Sequence, residues 1–421
     1  MLRIQLCMVA TLLKPLAAPA QVSYVARFEM EKPSYLLGGP VFSKFTISNT
    51  GSQTFQFAYR SPSRVLNREL ESEPRFRVTD AGGRTLPDPA PKPCGGAAGT
   101  VVYGSVTLPP GQTHSERWLL NQWAWFASPR RYQVRAERRL PLLALDPSTQ
   151  QPSKRPVAYA LALDELSFEL APATETQLRS AFQPYLDALR DPKKTDTAEA
   201  ISVVTALPKP FFLSDLVAAA GPAANPSAER WDRKLALQGL ARLGTPAAWN
   251  AILAVAQGRG SSSTGIEKDN TLRAYAILLL AEKADSAFLP PLLEMVSKAP
   301  GEVREALLRA LGFFQDPRAN QTLFEQLHSE SSTDRMNAIL GFKTLGTKET
   351  IPALMAMLND SQAQVRQVAN FALQGITGEK FALSEKASPE ETARLAAKWH
   401  AWWRQNAASF VPSRPSPCRE W

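Results

Sequence analysis

The sequence predicts a two-part molecule: an antiparallel β-sandwich followed by an α-helical repeat solenoid that ends in a tryptophan-rich helix. Three observations carry this prediction. Between Val22 and about Leu170, apolar residues recur at every second position in short runs broken by Pro, Gly and Asn turns. Beyond residue 195, Arg273, Arg304, Arg335 and Arg366 stand 31 residues apart and head near-copies of one helical pattern. Close to the C-terminus, Trp399, Trp402 and Trp403 fall within five residues.

The first segment reads MLRIQLCMVATLLKPLAAPAQ. A basic Arg3, the apolar run Ile4 to Leu13 and the small-residue end Ala18-Pro19-Ala20 predict a secretory signal over residues 1–20. The mature chain is then expected in the periplasm or outside the cell. No later stretch offers the ~18 uncharged apolar residues of a membrane span. Cys7 leaves with the signal, so Cys94 and Cys418 form the candidate disulfide of an oxidising compartment, with two unpaired thiols as the alternative. The formal net charge is +9, and residues 21–170 hold 18 Lys and Arg against 13 Asp and Glu. That bias is mild, and together with export it argues against a nucleic-acid partner.

The β half is expected over residues 21–172. VFSKFTISNTG sets Val41, Phe45 and Ile47 on one face and Lys44, Thr46 and Ser48 on the other before turning at Asn49-Thr50-Gly51. TFQFAYR and FRVTDAGG repeat the alternation; VSYVARFEM, GTVVYGSVTL, SERWLL, RYQVRAE and DELSFEL are further strand candidates. Arg131, Arg135 and Arg139 share one strand face and form a candidate anionic-ligand patch. Trp118, Trp123 and Trp125 lie nearby and are expected in the core, an exposed subset being able to stack on sugars. Around Pro110-Gly111-Gln112 and Tyr132-x-Val134 the chain resembles immunoglobulin-like domains of exported bacterial proteins, departing from them at Arg130 and Arg131, where Gly is common. The resemblance implies a fold only.

The helical half is expected over residues 173–380. An earlier copy begins at Arg233, 40 residues before Arg273, the excess being the polar insertion GRGSSSTGIEKDN. Three residues after each arginine come Ala236, Ala276, Leu307, Ala338 and Ala369; seven after come Leu240, Leu280, Leu311, Phe342 and Leu373. A second apolar set, such as Ile252-Leu253 and Leu323-Phe324, falls on a partner helix beyond turns like LGTP and QDPR. One such hairpin cannot bury its own apolar face, so copies must stack. VRQVANFALQGITG (Val365 to Gly378) resembles the HEAT-repeat family, particularly its short form found in phycobilisome-lyase-like proteins, over roughly residues 195–378. The resemblance implies a solenoid and carries no catalytic motif.

Residues 381–410 are read as a capping helix and 411–421 as a tail. At 100° per residue Leu395, Trp399, Trp402, Trp403 and Phe410 occupy one narrow sector, a stripe whose burial contributes on the order of 10 kcal/mol gross. TGEKF followed by WHAWW is similar to the closing helix of exported HEAT proteins. A solenoid end needs such a cover.

Chemistry is sparse. His114, His328 and His400 lack spaced partners, and the zinc-binding, phosphate-loop and nucleophile-elbow patterns do not occur. His114-Ser115 is expected in a solvated turn. No cofactor, metal or catalytic residue is expected, and the chain is read as a non-enzyme. The arginine ladder could bind anions, but bonds to neighbouring repeats are preferred. The expected function is an exported, non-catalytic scaffold that binds a protein partner through the helical-repeat surface, with Asn250, Gln321 and Glu325 as candidate contacts. The alternative is a secreted proteinase inhibitor or carbohydrate-binding module acting through the β-sandwich.

Overall fold

The computed structural model describes residues 22–59, 73–89, 104–146, 148–190, 197–221, 230–259, 270–384 and 387–411. The candidate signal, Cys94 and Cys418 lie outside the described residues.

Two sheets make up the first half. One is antiparallel, in the order β1 (Tyr24–Met30), β3 (Phe42–Asn49), β7 (Thr113–Leu119). The other runs β2 (Ser34–Leu36), β9 (Ala158–Ala171), β8 (Arg131–Ala144), β4 (Phe55–Tyr59), β6 (Gly104–Leu108), with β5 (Arg75–Asp80) also paired to β8. Alternation turns Phe28, Phe45, Ile47 and Trp118 of the first sheet toward Phe55, Phe57, Tyr132 and Phe168 of the second, and all are buried in one cluster. β8 and β9 are longer than the alternation predicts. The outward positions Tyr159, Leu161 and Leu163 of β9 are apolar as well, which erases the period of two in the sequence.

The second half begins with α1 (Glu175–Arg190). Among the described residues, six helix pairs follow: α2 (Thr197–Ala206) with α3 (Leu213–Ala220), α4 (Arg230–Leu243) with α5 (Pro246–Ala256), and α6 (Asn270–Lys283) with α7 (Leu289–Val296). Then come α8 (Gly301–Leu311) with α9 (Pro317–Gln326), α10 (Ser332–Leu345) with α11 (Thr350–Ala356), and α12 (Ala363–Thr377) with α13 (Pro389–Asn406). Turn chemistry sets the breaks. The Thr245 and Asp316 side chains accept from the Ala248 and Arg318 amides ahead of Pro246 and Pro317. Gly346 and Gly378, at φ 58° and 81°, end α10 and α12 in the left-handed region.

The first helices of successive pairs stack directly on one another, α4 on α6, α6 on α8, α8 on α10 and α10 on α12, while the partner helices meet more sparsely. α8 ends tightly against α10: a Cβ placed on Gly312 would collide with the Gly341 carbonyl oxygen. Only glycine fits there.

The two halves share a core. Phe42 and Leu119 belong to the same apolar cluster as the helical interior, and the Phe42 ring stacks on Tyr185 of α1 at 6.5 Å. Arg117 of β7 covers Phe42 at 4.1 Å and donates to both Glu31 and Glu199 of α2, while Gln122 Nε2 donates to Ser202 Oγ at 2.9 Å. At the far end Trp399 is fully buried against Phe381, and its Nε1 donates to Asn370 Oδ1 of α12 at 2.8 Å. Asn370 Nδ2 in turn donates to the Phe381 carbonyl. Trp402, Trp403 and Phe410 are half-buried around it, Trp402 donating to Glu379 at 2.9 Å.

Gly312→Ala is expected to lower unfolding stability by ~1–3 kcal/mol through overpacking against α10. Gly301→Ala, which meets nothing within 4 Å, should stay within about 0.5 kcal/mol. Urea unfolding midpoints check both.

Candidate functional site

The repeat arginines are engaged within the stack. Arg335 forks onto Asp360 at 2.7 and 2.9 Å and also donates to the Ser329 and Glu330 carbonyls. One repeat later Arg366 makes the same backward contacts, to the Asp360 and Ser361 carbonyls. Arg304 lies 3.4 Å from Asp334, and Arg273 donates to the Ala256 carbonyl at 3.2 Å. Burial alone would push the Asp360 carboxyl up. The Arg335 hydrogen bonds, the Gln362 amide and the charges of Arg335 and Arg366 outweigh it and hold Asp360 below the usual carboxylate range. The ladder ties each repeat to the next.

A different set, exposed or half-buried, falls at offsets of one, two, five and eight residues from the arginines, one sector of each first helix. It includes Lys234, Gln238, Tyr275, Arg309, Met336, Lys343 and Phe371. Three contacts in this row cross repeats. Gln238 Nε2 donates to Tyr275 Oη at 2.6 Å with the Lys234 ammonium 5.5 Å from the ring, and the Lys343 ammonium sits 4.9 Å over Phe371. Phe371 is nonetheless 55% exposed. Burial pushes the Tyr275 phenol up to about 12, against the Gln238 hydrogen bond, so it remains a neutral donor.

Sequence reasoning did not find this row. It expected contacts on the partner helices, and the structure places those residues apart. Asn250 is exposed on α5, whereas Gln321 and Glu325 are exposed on α9 and bonded to each other at 3.0 Å, two pairs further along the outer layer. Arg131, Arg135 and Arg139 are exposed together on β8 but are interleaved with acids of β9: Arg131 pairs in register with Glu169 and Arg135 with Glu165. Arg139 lies 4.0 Å over the Tyr159 ring. Trp118 and Trp123 are core residues, while Trp125 is 61% exposed.

His114 does not sit in a solvated turn. It lies within β7, where alternation turns it inward, its ring nitrogen 3.1 Å from Glu116 Oε1. Arg138 Nη1 donates to Glu116 Oε2 at 2.6 Å from the opposite sheet, beneath the Phe45 and Trp118 rings. Burial pushes the Glu116 carboxyl up, yet the Arg138 charge and the His114 and Arg138 hydrogen bonds win and hold it low. This buried ion pair joins the two sheets.

A cleft of about 490 Å³ opens between the turns at 315–320 and 345–349, lined by Gln315, Asn320, Leu345 and Lys348 among others. Among the described residues no three His, Cys, Asp or Glu side chains converge as metal ligands would. Nor is any described helix long and apolar enough to cross a membrane.

A family model for HEAT repeats matches residues 266–331 and 289–374. Residues 266–374 carry HEAT repeats. No curated protein matches the chain. Among solved structures, the CpcE–CpcF complex of phycocyanin lyase from Nostoc sp. PCC7120 is 23% identical, covering 39% of this chain and 99% of that one at a TM-score of 0.31. A designed armadillo repeat protein in complex with peptide (KR)4 is 16% identical, covering 48% and 91%, with a TM-score of 0.29. Aminopeptidase A of Legionella pneumophila, in complex with aspartic acid, is 8% identical over 91% of this chain and 47% of its own, also at 0.29.

Arg335→Ala should cost about 1.5–3 kcal/mol by leaving Asp360 unpaired. The Asp360 pKa is depressed in the folded protein, so its contribution is complete above the ordinary value of 3.8 and fades as pH falls through the folded value. The loss should therefore be large at neutral pH and shrink below that value, as read from urea midpoints at neutral and acidic pH.

Proposed function

We propose that the protein is an exported, non-catalytic scaffold whose HEAT repeats grip a protein partner along the first-helix layer. One observation carries this reading: Tyr275, Arg309, Met336 and Phe371 fall on one side of consecutive first helices, Arg309 and Phe371 exposed and Tyr275 and Met336 half-buried beside them. Aromatic, Met and Arg side chains are those enriched at the energetic centres of protein interfaces. The repeat arginines support it by their engagement, since they hold the layer rigid and leave recognition to this row. The outer residues Asn250, Gln321 and Glu325 supply at most a second, flanking contact.

The β half is read as immunoglobulin-like. The Pro110-Gly111-Gln112 turn supports this, with Gly111 at φ 77° donating its amide to the Asn49 carbonyl and leading into β7. Its role is to hold and close the N-terminal end of the stack, as α13 closes the other. Export rests on the signal-like residues 1–20; a mature N-terminus at Gln21 by mass measurement supports it, and an intact Met1 contradicts it.

The rival reading, a carbohydrate-binding or proteinase-inhibiting β half, draws on the exposed Trp125. Glycan or protease binding by the whole protein that Trp125→Ala abolishes would favour it.

For the main reading, partners cross-linked in the native envelope and identified by mass are compared between the wild-type chain and Met336→Asp with Phe371→Asp. At least ~30-fold weaker recovery of one defined partner is expected, the loss of a hot-spot pair. Equal recovery from both chains contradicts the proposal.

A further inference from the structure

One face of the β half is exposed in a way that its own packing leaves unexplained. Val157, Tyr159, Leu161 and Leu163 are 52%, 42%, 54% and 51% exposed. They line one side of the chain because residues two apart share a strand face. Four large apolar side chains in a row exceed the isolated ones that are ordinary on a surface. The adjoining strand β8 presents Pro141, Arg139, Glu137, Arg135 and Arg131 on the same side.

The register between the two strands gives this face a particular symmetry. β8 and β9 pair antiparallel with Pro141 opposite Tyr159, Arg135 opposite Glu165 and Arg131 opposite Glu169. We propose that the face joins two copies of the chain about a two-fold axis that runs between β8 and β9 along their length. Such an axis lays β8 of one copy over β9 of the other without changing the register. Each residue then meets the counterpart of its own cross-strand neighbour: Arg135 meets Glu165, Arg131 meets Glu169, and Pro141 meets Tyr159. Opposite charges fall on opposite charges and apolar groups on apolar groups, which is the self-complementarity an isologous contact requires.

The two mixed positions also fit. Arg139 falls over Leu161, and its guanidinium is already drawn across the Tyr159 ring, so its aliphatic stem covers the leucine. Glu137 falls over Leu163 but is paired in register with Arg75 of β5. The acids Glu137, Glu165 and Glu169 stand among Arg75, Arg77, Arg131, Arg135 and Arg139 on this face. A second copy offers both signs in matching register, whereas an anionic bilayer offers only one and leaves the three glutamates without partners. The surface uses none of the residues assigned to partner binding by the helices.

Sedimentation velocity of the full chain over a concentration series tests this. A reversible monomer–dimer equilibrium is expected, weakened at least ~30-fold by Leu161→Glu with Leu163→Glu. Arg135→Glu alone should also weaken it, and Arg135→Glu combined with Glu165→Arg should restore it, a rescue that misfolding would not give. A chain that stays monomeric throughout overturns the proposal, as does a dimer indifferent to these changes. So does a monomer that co-sediments with phosphatidylglycerol vesicles and loses them on Leu161→Glu with Leu163→Glu, which would assign the face to a bilayer.

Discussion

A helix pair with one apolar side buries that side only against its neighbours, so an open stack is stable only as far as its ends are covered. The constraint explains why this chain joins two dissimilar halves. At one end Phe42 and Leu119 of the β half enter the helical core, and Arg117 bridges Glu31 to Glu199 across the junction. At the other, Trp399 of α13 is buried within the last helix pair, held by its hydrogen bond to Asn370. The apolar cluster runs unbroken between them. The β half packs against the first helices of the stack, and α13 completes its last pair.

Within the stack, polar groups are arranged for assembly before recognition. Arg273, Arg335 and Arg366 bond to carbonyls of the preceding helix or loop, Arg304 and Arg335 reach acids of the next repeat, and Asp360 receives both Arg335 as a fork and Arg366 on its carbonyl. Fixed geometry of that kind makes the first-helix layer a rigid surface, and rigidity lowers the entropy cost of gripping a partner. Tyr275, Met336 and Phe371 fall between the arginines and the core positions.

The helical architecture was legible in the sequence because its signals are local and repeated. Thr245-Pro246 and Asp316-Pro317 mark helix starts, and the spacing of the arginines marks the register. The engagement of those arginines with neighbouring repeats followed from their regularity. The close packing of neighbouring first helices was not legible. It rests on Gly312 against Gly341, a contact between residues 29 apart whose role no pattern announces. In the β half, β9 went partly unrecognised because Tyr159, Leu161 and Leu163 break the alternation on the outward side. His114 was misplaced for the reverse reason: a polar residue facing inward is read as surface until its partners Glu116 and, through it, Arg138 are seen across the core.

Hydrogen exchange of the full chain carrying Trp399→Ala tests the shared, sealed interior most directly. If the core is continuous, amide protection falls in α13 and α12 and, in diminishing degree, in α10, while the β half keeps its own. Loss confined to α13, with α12 and α10 protected as before, would contradict the account.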